Sequence, residues 1–94
     1  MNKRQLVAAA ARRTPLTQRQ VRQALQALLE TIAEALADGQ SVALSDFGRF
    51  ETQRYAGRTL RRFGDDGQFQ VEERRVPVFH SSEALRRRVR ERRE

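Results

Sequence analysis

Residues 57–69 read GRTLRRFGDDGQF. Three arginines in this stretch precede a phenylalanine, Phe63, and the turn sequence GDDG follows at once. Asp-Gly at 66–67 is a strong β-hairpin signal, so we expect a hairpin whose tip lies near 63–67. A large apolar ring at such a tip has nothing in its own loop to bury it, which raises the question of what it contacts.

The segments that flank this stretch alternate in the manner of β-strands. Residues 41–53, SVALSDFGRFETQ, predict a strand, a turn at Gly48 and a second strand. Residues 68–76, QFQVEERRV, alternate again, and we expect Pro77 to end that strand. The hairpin between them has few apolar positions and would be unstable alone, so it is either disordered or lies against another surface. Its six arginines indicate an anionic one: Arg54, Arg58, Arg61, Arg62, Arg74 and Arg75.

The first half of the chain has helical periodicity. Residues 3–12 predict a short helix capped by Asn2. Thr17 and Gln20 have the spacing of a capping box at the start of a second helix, which should end near Gly39. The apolar stripe of this second helix is wider than one short helix can cover, so we expect a partner subunit.

A third helix is predicted at the end of the chain. Ser81 or Ser82 can cap it, and Leu85 and Val89 should anchor it among arginines. The order α-α-β-β-β-α indicates a single α+β domain over residues 1–94.

Composition points to a polyanionic partner. The 94 residues carry a net charge of +7 and a pI near 11.5, and 18 of the 19 basic residues are arginine. A basic surface that is merely solvated is the alternative. We favour a polyanionic partner, because this pI lies above about 9, the threshold that indicates a nucleic-acid-binding domain. There is no cysteine, no apolar run of membrane-spanning length and no signal peptide, so we expect a soluble intracellular protein.

Catalytic chemistry is not indicated. His80 is the only histidine, and we expect it on the surface near the start of the last helix. No Ser/His/Asp trio, phosphate-binding glycine loop or HExxH motif is present. The acidic pairs at 65–66 and 72–73 are interpreted as a solvated turn and a strand edge. We therefore expect no enzyme activity, cofactor, metal or small-molecule substrate.

Three segments carry a resemblance to a known family. MNKRQLV at the start, DGQSVALSDFGRFETQ in the middle and VPVFHSSEALRRRV at the end resemble the bacterial histone-like HU and integration host factor family. The resemblance implies an intertwined dimer in the bacterial cytoplasm and nucleoid, a homodimer or alternatively a heterodimer. Residues 1–39 would form the helical dimerisation half, 40–80 the three-stranded antiparallel sheet with an arm at about 53–75, and 81–94 a basic helix.

The resemblance also implies the residues that contact double-stranded DNA. The run RTLRRF matches the arm motif RTGRNP of the family, so Arg58 and Arg61 fall on its arm arginines. Phe63 falls on the proline that inserts between base pairs in the minor groove, and is the expected intercalating wedge. From the residues alone, a ring that folds back on its own hairpin or packs on another protein is the alternative. The expected DNA-binding residues are Lys3, Arg54, Tyr55, Arg58, Arg61, Arg62, Phe63, Arg74, Arg75 and Arg86.

The chain also departs from the family pattern. The departures are Tyr55 for an arm arginine, Leu60 for a glycine, acids at Asp65 and Asp66, Glu83 for a lysine, and Asp46 for a small turn residue. They leave open the bend angle, the sequence preference and a chromosomal or phage-type role. A protein-interaction module with an acid-tipped arm is the alternative function. Net charge favours DNA bending, because residues 49–94 carry 13 basic and 8 acidic groups.

Overall fold

The computed structural model describes residues 1–55, 58–61, 68–71 and 73–92; of 58–61 and 68–71 it describes the strands and their register. The elements are α1 (Lys3–Ala11), α2 (Gln18–Ala37), β1 (Val42–Leu44), β2 (Gly48–Tyr55), β3 (Arg58–Arg61), β4 (Gln68–Val71), β5 (Arg74–Ser81) and α3 (Glu83–Glu91). Residues 1–35 and 36–94 form two compact units. In the described ranges, no helix has the length and apolar character needed to cross a membrane.

Both helices of the first half begin at capping boxes. The Asn2 side chain accepts a hydrogen bond from the Gln5 amide at 2.9 Å, and the Gln5 side chain accepts one from the Asn2 amide at 2.8 Å. Thr17 and Gln20 make the same exchange, at 3.1 and 2.9 Å. Each cap satisfies amides that have no intrahelical partner and is worth about 1 kcal/mol. The predicted helix starts are confirmed.

The helical unit has a small apolar core. Val7, 4% exposed, and Ala11 are the buried apolar side chains of the described residues. No side chain of α2 is buried, and Leu28 is 60% exposed. The prediction that α2 has more apolar surface than α1 covers is therefore confirmed.

The main sheet has three antiparallel strands in the order β1-β2-β5. Val42 pairs with Phe50, and Phe50 pairs with Phe79. The Phe79 ring centroid lies 4.9 Å from that of Phe50 and 5.7 Å from that of Phe47. This sheet, together with the three helices, confirms the α+β class.

The start of β2 requires glycine. A Cβ atom at Gly48 would lie 2.5 Å from the carbonyl oxygen of His80 and 2.6 Å from the Phe79 ring. Just before it, Asp46 adopts a φ of +64°, and the Phe47 amide donates to the Leu44 carbonyl at 3.0 Å. Aspartate is one of the few residues besides glycine that tolerates this left-handed conformation. The tight turn therefore forms although Asp46 departs from the family pattern.

The last strand corrects one prediction. Pro77 does not end a strand, because β5 continues through it to Ser81, with Pro77 paired to Thr52. β5 is an edge strand of the main sheet, where a residue without an amide hydrogen is tolerated. His80 lies within β5 and is half-buried, with Nε2 2.7 Å from Oε1 of Glu51.

The final helix begins at the second of the two predicted caps. The Ser82 hydroxyl accepts a hydrogen bond from the Leu85 amide at 3.0 Å. Leu85 is half-buried, but Val89 is 69% exposed. The prediction that both residues anchor α3 is thus wrong for Val89 within a single chain.

The arm has its own two-stranded pairing. The β2–β5 ladder ends at Tyr55 and Arg74, and the β3–β4 ladder runs from Arg58 opposite Val71 to Arg61 opposite Gln68. The predicted hairpin is confirmed as far as this last pair. The predicted tip, with the Asp-Gly turn at 66–67 and the wedge Phe63, lies outside the described residues.

Candidate nucleic-acid interface

The root of the arm places arginines opposite each other. At the end of the β2–β5 ladder, Arg54 is paired with Arg75. Like charges at directly opposed positions destabilise a sheet unless each has a partner. Nε of Arg54 lies 2.9 Å from Oε1 of Glu73, and Arg75 donates to the Ala37 carbonyl at 3.0 Å. The two guanidinium groups therefore bind different acceptors, Arg54 the Glu73 carboxylate and Arg75 the Ala37 carbonyl.

Arg75 contacts the C-terminal end of α2. Ala37 is the last helical residue, and its carbonyl is one of those that lack an intrahelical partner. Gly39 follows with a φ of +81°, and its amide donates to the Leu36 carbonyl at 3.0 Å. A cation here also offsets the negative end of the helix dipole. Arg75, expected to contact DNA, thus attaches the arm root to α2.

Tyr55 and Arg74 form the outermost pair of the β2–β5 ladder. The guanidinium carbon of Arg74 lies 5.5 Å from the centroid of the Tyr55 ring, a cation–π arrangement. The Tyr55 hydroxyl donates to Oε1 of Gln53 at 3.3 Å. Tyr55 stands where the family pattern has an arginine, but Arg74 on the paired strand places a positive charge beside the Tyr55 ring. The arm root therefore stays cationic.

Two expected arm contacts lie at described register positions. Arg58 and Arg61 are the first and last residues of β3. Arg62 and Phe63, also expected to contact DNA, lie outside the described residues. Both arm arginines therefore lie on a strand of the hairpin, and their contact with DNA stays a prediction.

Arg86 is engaged by an acid of its own helix. Glu83, in the first turn of α3, lies 3.4 Å from Arg86 and 3.6 Å from Arg90. All three side chains are exposed, so water and DNA can reach them. Glu83, where the family pattern has a lysine, therefore has two effects. It replaces a positive charge by a negative one, and it pairs with Arg86 and Arg90, which would otherwise be free to bind an anion.

Lys3 lies beside two arginines that sequence reasoning did not single out. A groove of about 330 Å³ in the helical unit is lined by Lys3, Arg4, Val7, Gln18 and Arg22. Arg4 and Arg22 are eighteen positions apart, and the spacing within either helix gave no signal that they would line the same groove. Their proximity depends on how α1 packs against α2.

Comparison with known proteins agrees with this arrangement. A family model described as bacterial DNA-binding protein matches residues 1–90. The DNA-binding protein HU of Nostoc sp. is 36% identical over 89 residues, 95% of each chain, and that of Haemophilus influenzae is 36% identical over 86 residues, 92% of this chain and 96% of the relative.

Solved structures give the same result. An Anabaena HU–DNA cocrystal structure is 35% identical, covers 98% of this chain and 100% of its own, and superposes with a TM-score of 0.85. HU from Thermotoga maritima is 30% identical, with coverages of 95% and 98% and a TM-score of 0.68. The chain therefore belongs to the bacterial DNA-binding protein family of HU and integration host factor, the family that its sequence resembles.

Proposed function

We propose that this protein is an architectural, nucleoid-associated protein of the bacterial cytoplasm that binds and bends duplex DNA. The observation that carries the proposal is the paired β3–β4 arm, in a chain that superposes on an HU–DNA cocrystal structure with a TM-score of 0.85. An antiparallel ribbon that extends beyond its own sheet needs another surface to support it. The minor groove of DNA supplies that surface in the proposed complex.

The charges of the arm support an electrostatic mode of binding. Arg54, Arg58, Arg61 and Arg74 are distributed along β2, β3 and β5, and Arg62 follows β3 in the sequence. Guanidinium groups suit backbone phosphates and narrow minor grooves. No helix is proposed to enter a groove of the DNA, so no asparagine or glutamine of a helix is proposed to read base edges. We therefore expect affinity that depends strongly on salt and weakly on sequence.

The binding unit is proposed to be a homodimer. The exposed apolar face of α2 supports this, since Leu28 and Leu29 are 60% and 41% exposed in the single chain. Burying a leucine side chain is worth about 1.5–3 kcal/mol. Several such side chains on two copies of α2 favour association, and a dimer presents two arms to one duplex.

Bending is proposed to depend on Phe63. The residue follows the last described pair of the arm, Arg61 opposite Gln68, and precedes the GDDG turn. A wedge that separates a base step costs a few kcal/mol of stacking, which the additional contacts of a bent duplex offset. Phenylalanine can also stack on the exposed base, so the ring supplies both functions.

A gel-shift series tests the proposal. Plain, nicked and pre-kinked duplexes of one length are titrated at about 50 and 200 mM salt. We expect binding to all three, tighter for the nicked and kinked duplexes because part of the deformation is already present in them. Arg58→Ala should weaken binding to every duplex and lower the salt slope by about one unit per arm. A protein that shifts none of the duplexes would instead favour the protein-interaction module.

A further inference from the structure

The root of the arm is a two-stranded ribbon. β1 pairs with β2 only between Gly48 and Phe50, whereas β5 pairs with β2 from Gly48 to Tyr55. In the described residues, positions 51–55 and 74–78 thus form a ribbon that has no third strand beside it. A two-stranded ribbon is marginally stable alone, and its twist varies more than that of a wide sheet. The direction of this ribbon therefore depends on contacts with other elements.

In the part of the chain that the structure describes, Arg75 makes the side-chain hydrogen bond that joins this ribbon to a helix. Its Nη2 donates to the Ala37 carbonyl at 3.0 Å, and a Cβ atom added at Gly39 would lie 3.6 Å from its Nη1. The guanidinium group thus lies against the backbone that ends α2. The other side-chain bonds described for the ribbon join residues of the sheet and the arm to each other.

The two arginines of β5 lie on opposite faces of the sheet. Side chains alternate along a strand, so Arg75 shares a face with Phe79, whose ring packs on Phe47 and Phe50. Arg74 lies on the other face, against the Tyr55 ring. Arg75 is therefore on the face of the aromatic cluster, and its charge offsets the negative end of the α2 dipole.

The contact lies where it can set the direction of the arm. The Arg54–Arg75 pair is four pairs beyond Phe50, the last residue of β2 that pairs with β1, which is about 14 Å along the strand. Arg61, at the end of β3, is up to about 20 Å further on than Tyr55. A rotation of about 10° at the root would move Arg61 by about 3.5 Å, which is about one base step of a DNA strand. A small rotation at the root thus changes the base step that the arm reaches.

We infer that Arg75 is a positioning residue for DNA bending, which holds the arm in a bending-competent direction through its contact with the end of α2. It acts on the duplex through the arm and not as a phosphate contact. The inference rests on the proposed function and deepens it, because the resemblance assigned Arg75 only to the set of DNA-binding residues.

A matched pair of variants tests the inference. Arg75→Met removes one charge and the donor to Ala37, whereas Arg54→Met removes one charge from the same pair of the ladder and leaves the helix contact in place. Both side chains are exposed, so thermal melting of both variants should match the parent. Bending is measured by energy transfer between dyes at the two ends of a plain duplex saturated with protein. Because saturation is reached in every sample, a loss of affinity or of folded protein does not alter the plateau.

Arg75→Met should reach a lower transfer plateau than the parent, and Arg54→Met should keep the parent plateau. The salt slope of log K is then measured on a pre-kinked duplex, where the bend is already present, at about 50 and 200 mM salt. Arg75→Met should keep the parent slope there, because it removes no phosphate contact.

Three results would overturn the role of Arg75 and leave the proposed function standing. The first is a plateau for Arg75→Met equal to that of the parent, and the second is an equal loss of plateau in both variants. The third is a salt slope on the pre-kinked duplex that falls by about 0.9 per arm in Arg75→Met, which would make Arg75 a phosphate contact. A parent protein that binds the plain duplex without bending it would overturn both the inference and the proposed function.

Discussion

Replacing Glu83 by glutamine should strengthen DNA binding. The Glu83 carboxylate lies 3.4 Å from Arg86 and 3.6 Å from Arg90, and all three side chains are 59–66% exposed. An exposed ion pair is worth about 0–1 kcal/mol, so DNA can break it but loses that energy in doing so. Removing the carboxylate should therefore make the free energy of DNA binding more favourable by at most about 1 kcal/mol per arginine, which is about fivefold in affinity.

Glu91 supplies the matched control. It lies on the same helix, and in the part of the chain that the structure describes no arginine forms an ion pair with it. Glu91→Gln removes the same charge without releasing Arg86 or Arg90. The comparison therefore separates release of the arginines from the change in net charge.

The assay is the anisotropy of a labelled duplex titrated with parent, Glu83→Gln and Glu91→Gln protein at two salt concentrations. Glu83→Gln should bind more tightly than Glu91→Gln and show the steeper salt dependence, by about 0.9 in log–log slope for each additional phosphate neutralised. Circular dichroism should show α3 intact, because Ser82 still caps it. If both variants bind equally, Glu83 does not compete with DNA for these arginines.

Three further variants test the dimer, the sheet and the wedge. Leu28→Lys should convert the dimer to monomer in sedimentation equilibrium, because it places a charge in an interface whose leucines contribute about 1.5–3 kcal/mol each; an unchanged dimer would show that Leu28 lies outside the interface. Gly48→Ala should lower the free energy of unfolding in urea by about 1–3 kcal/mol, since the added methyl group meets the His80 carbonyl and the Phe79 ring, and an unchanged midpoint would contradict that packing. Phe63→Ala should retain binding to plain duplex but lose the preference for nicked duplex in competition gel shifts, and a preference equal to that of the parent would exclude Phe63 as the wedge.

The helix starts and the sheet could be predicted from local signals. Thr17 and Gln20 make a capping box because their spacing lets each side chain reach the amide of the other. The alternation around Gly48 predicted two strands because strand side chains repeat every two residues. In both cases the physical cause acts over a few residues, so the sequence alone contains it.

The features that sequence reasoning missed depend on distant parts of the chain. Pro77 was expected to end a strand, and its tolerance follows from the edge position of β5, which is set by sheet order. Arg75 donates to the Ala37 carbonyl across 38 positions, and Arg4 of α1 and Arg22 of α2 line one groove. No local pattern encodes these arrangements, so the arm hairpin was predicted and its hydrogen bond to the end of α2 was missed.

The measurement that most directly tests the central claim is fluorescence resonance energy transfer between dyes at the two ends of a plain duplex. Titration with the parent protein should raise the transfer efficiency to a plateau, because a bent duplex brings its ends together, and added salt should reverse the rise as the phosphates regain their counterions. A duplex that is saturated with protein, as shown by anisotropy of the same sample, and whose transfer efficiency stays at the value of free DNA would contradict the claim that this protein bends DNA.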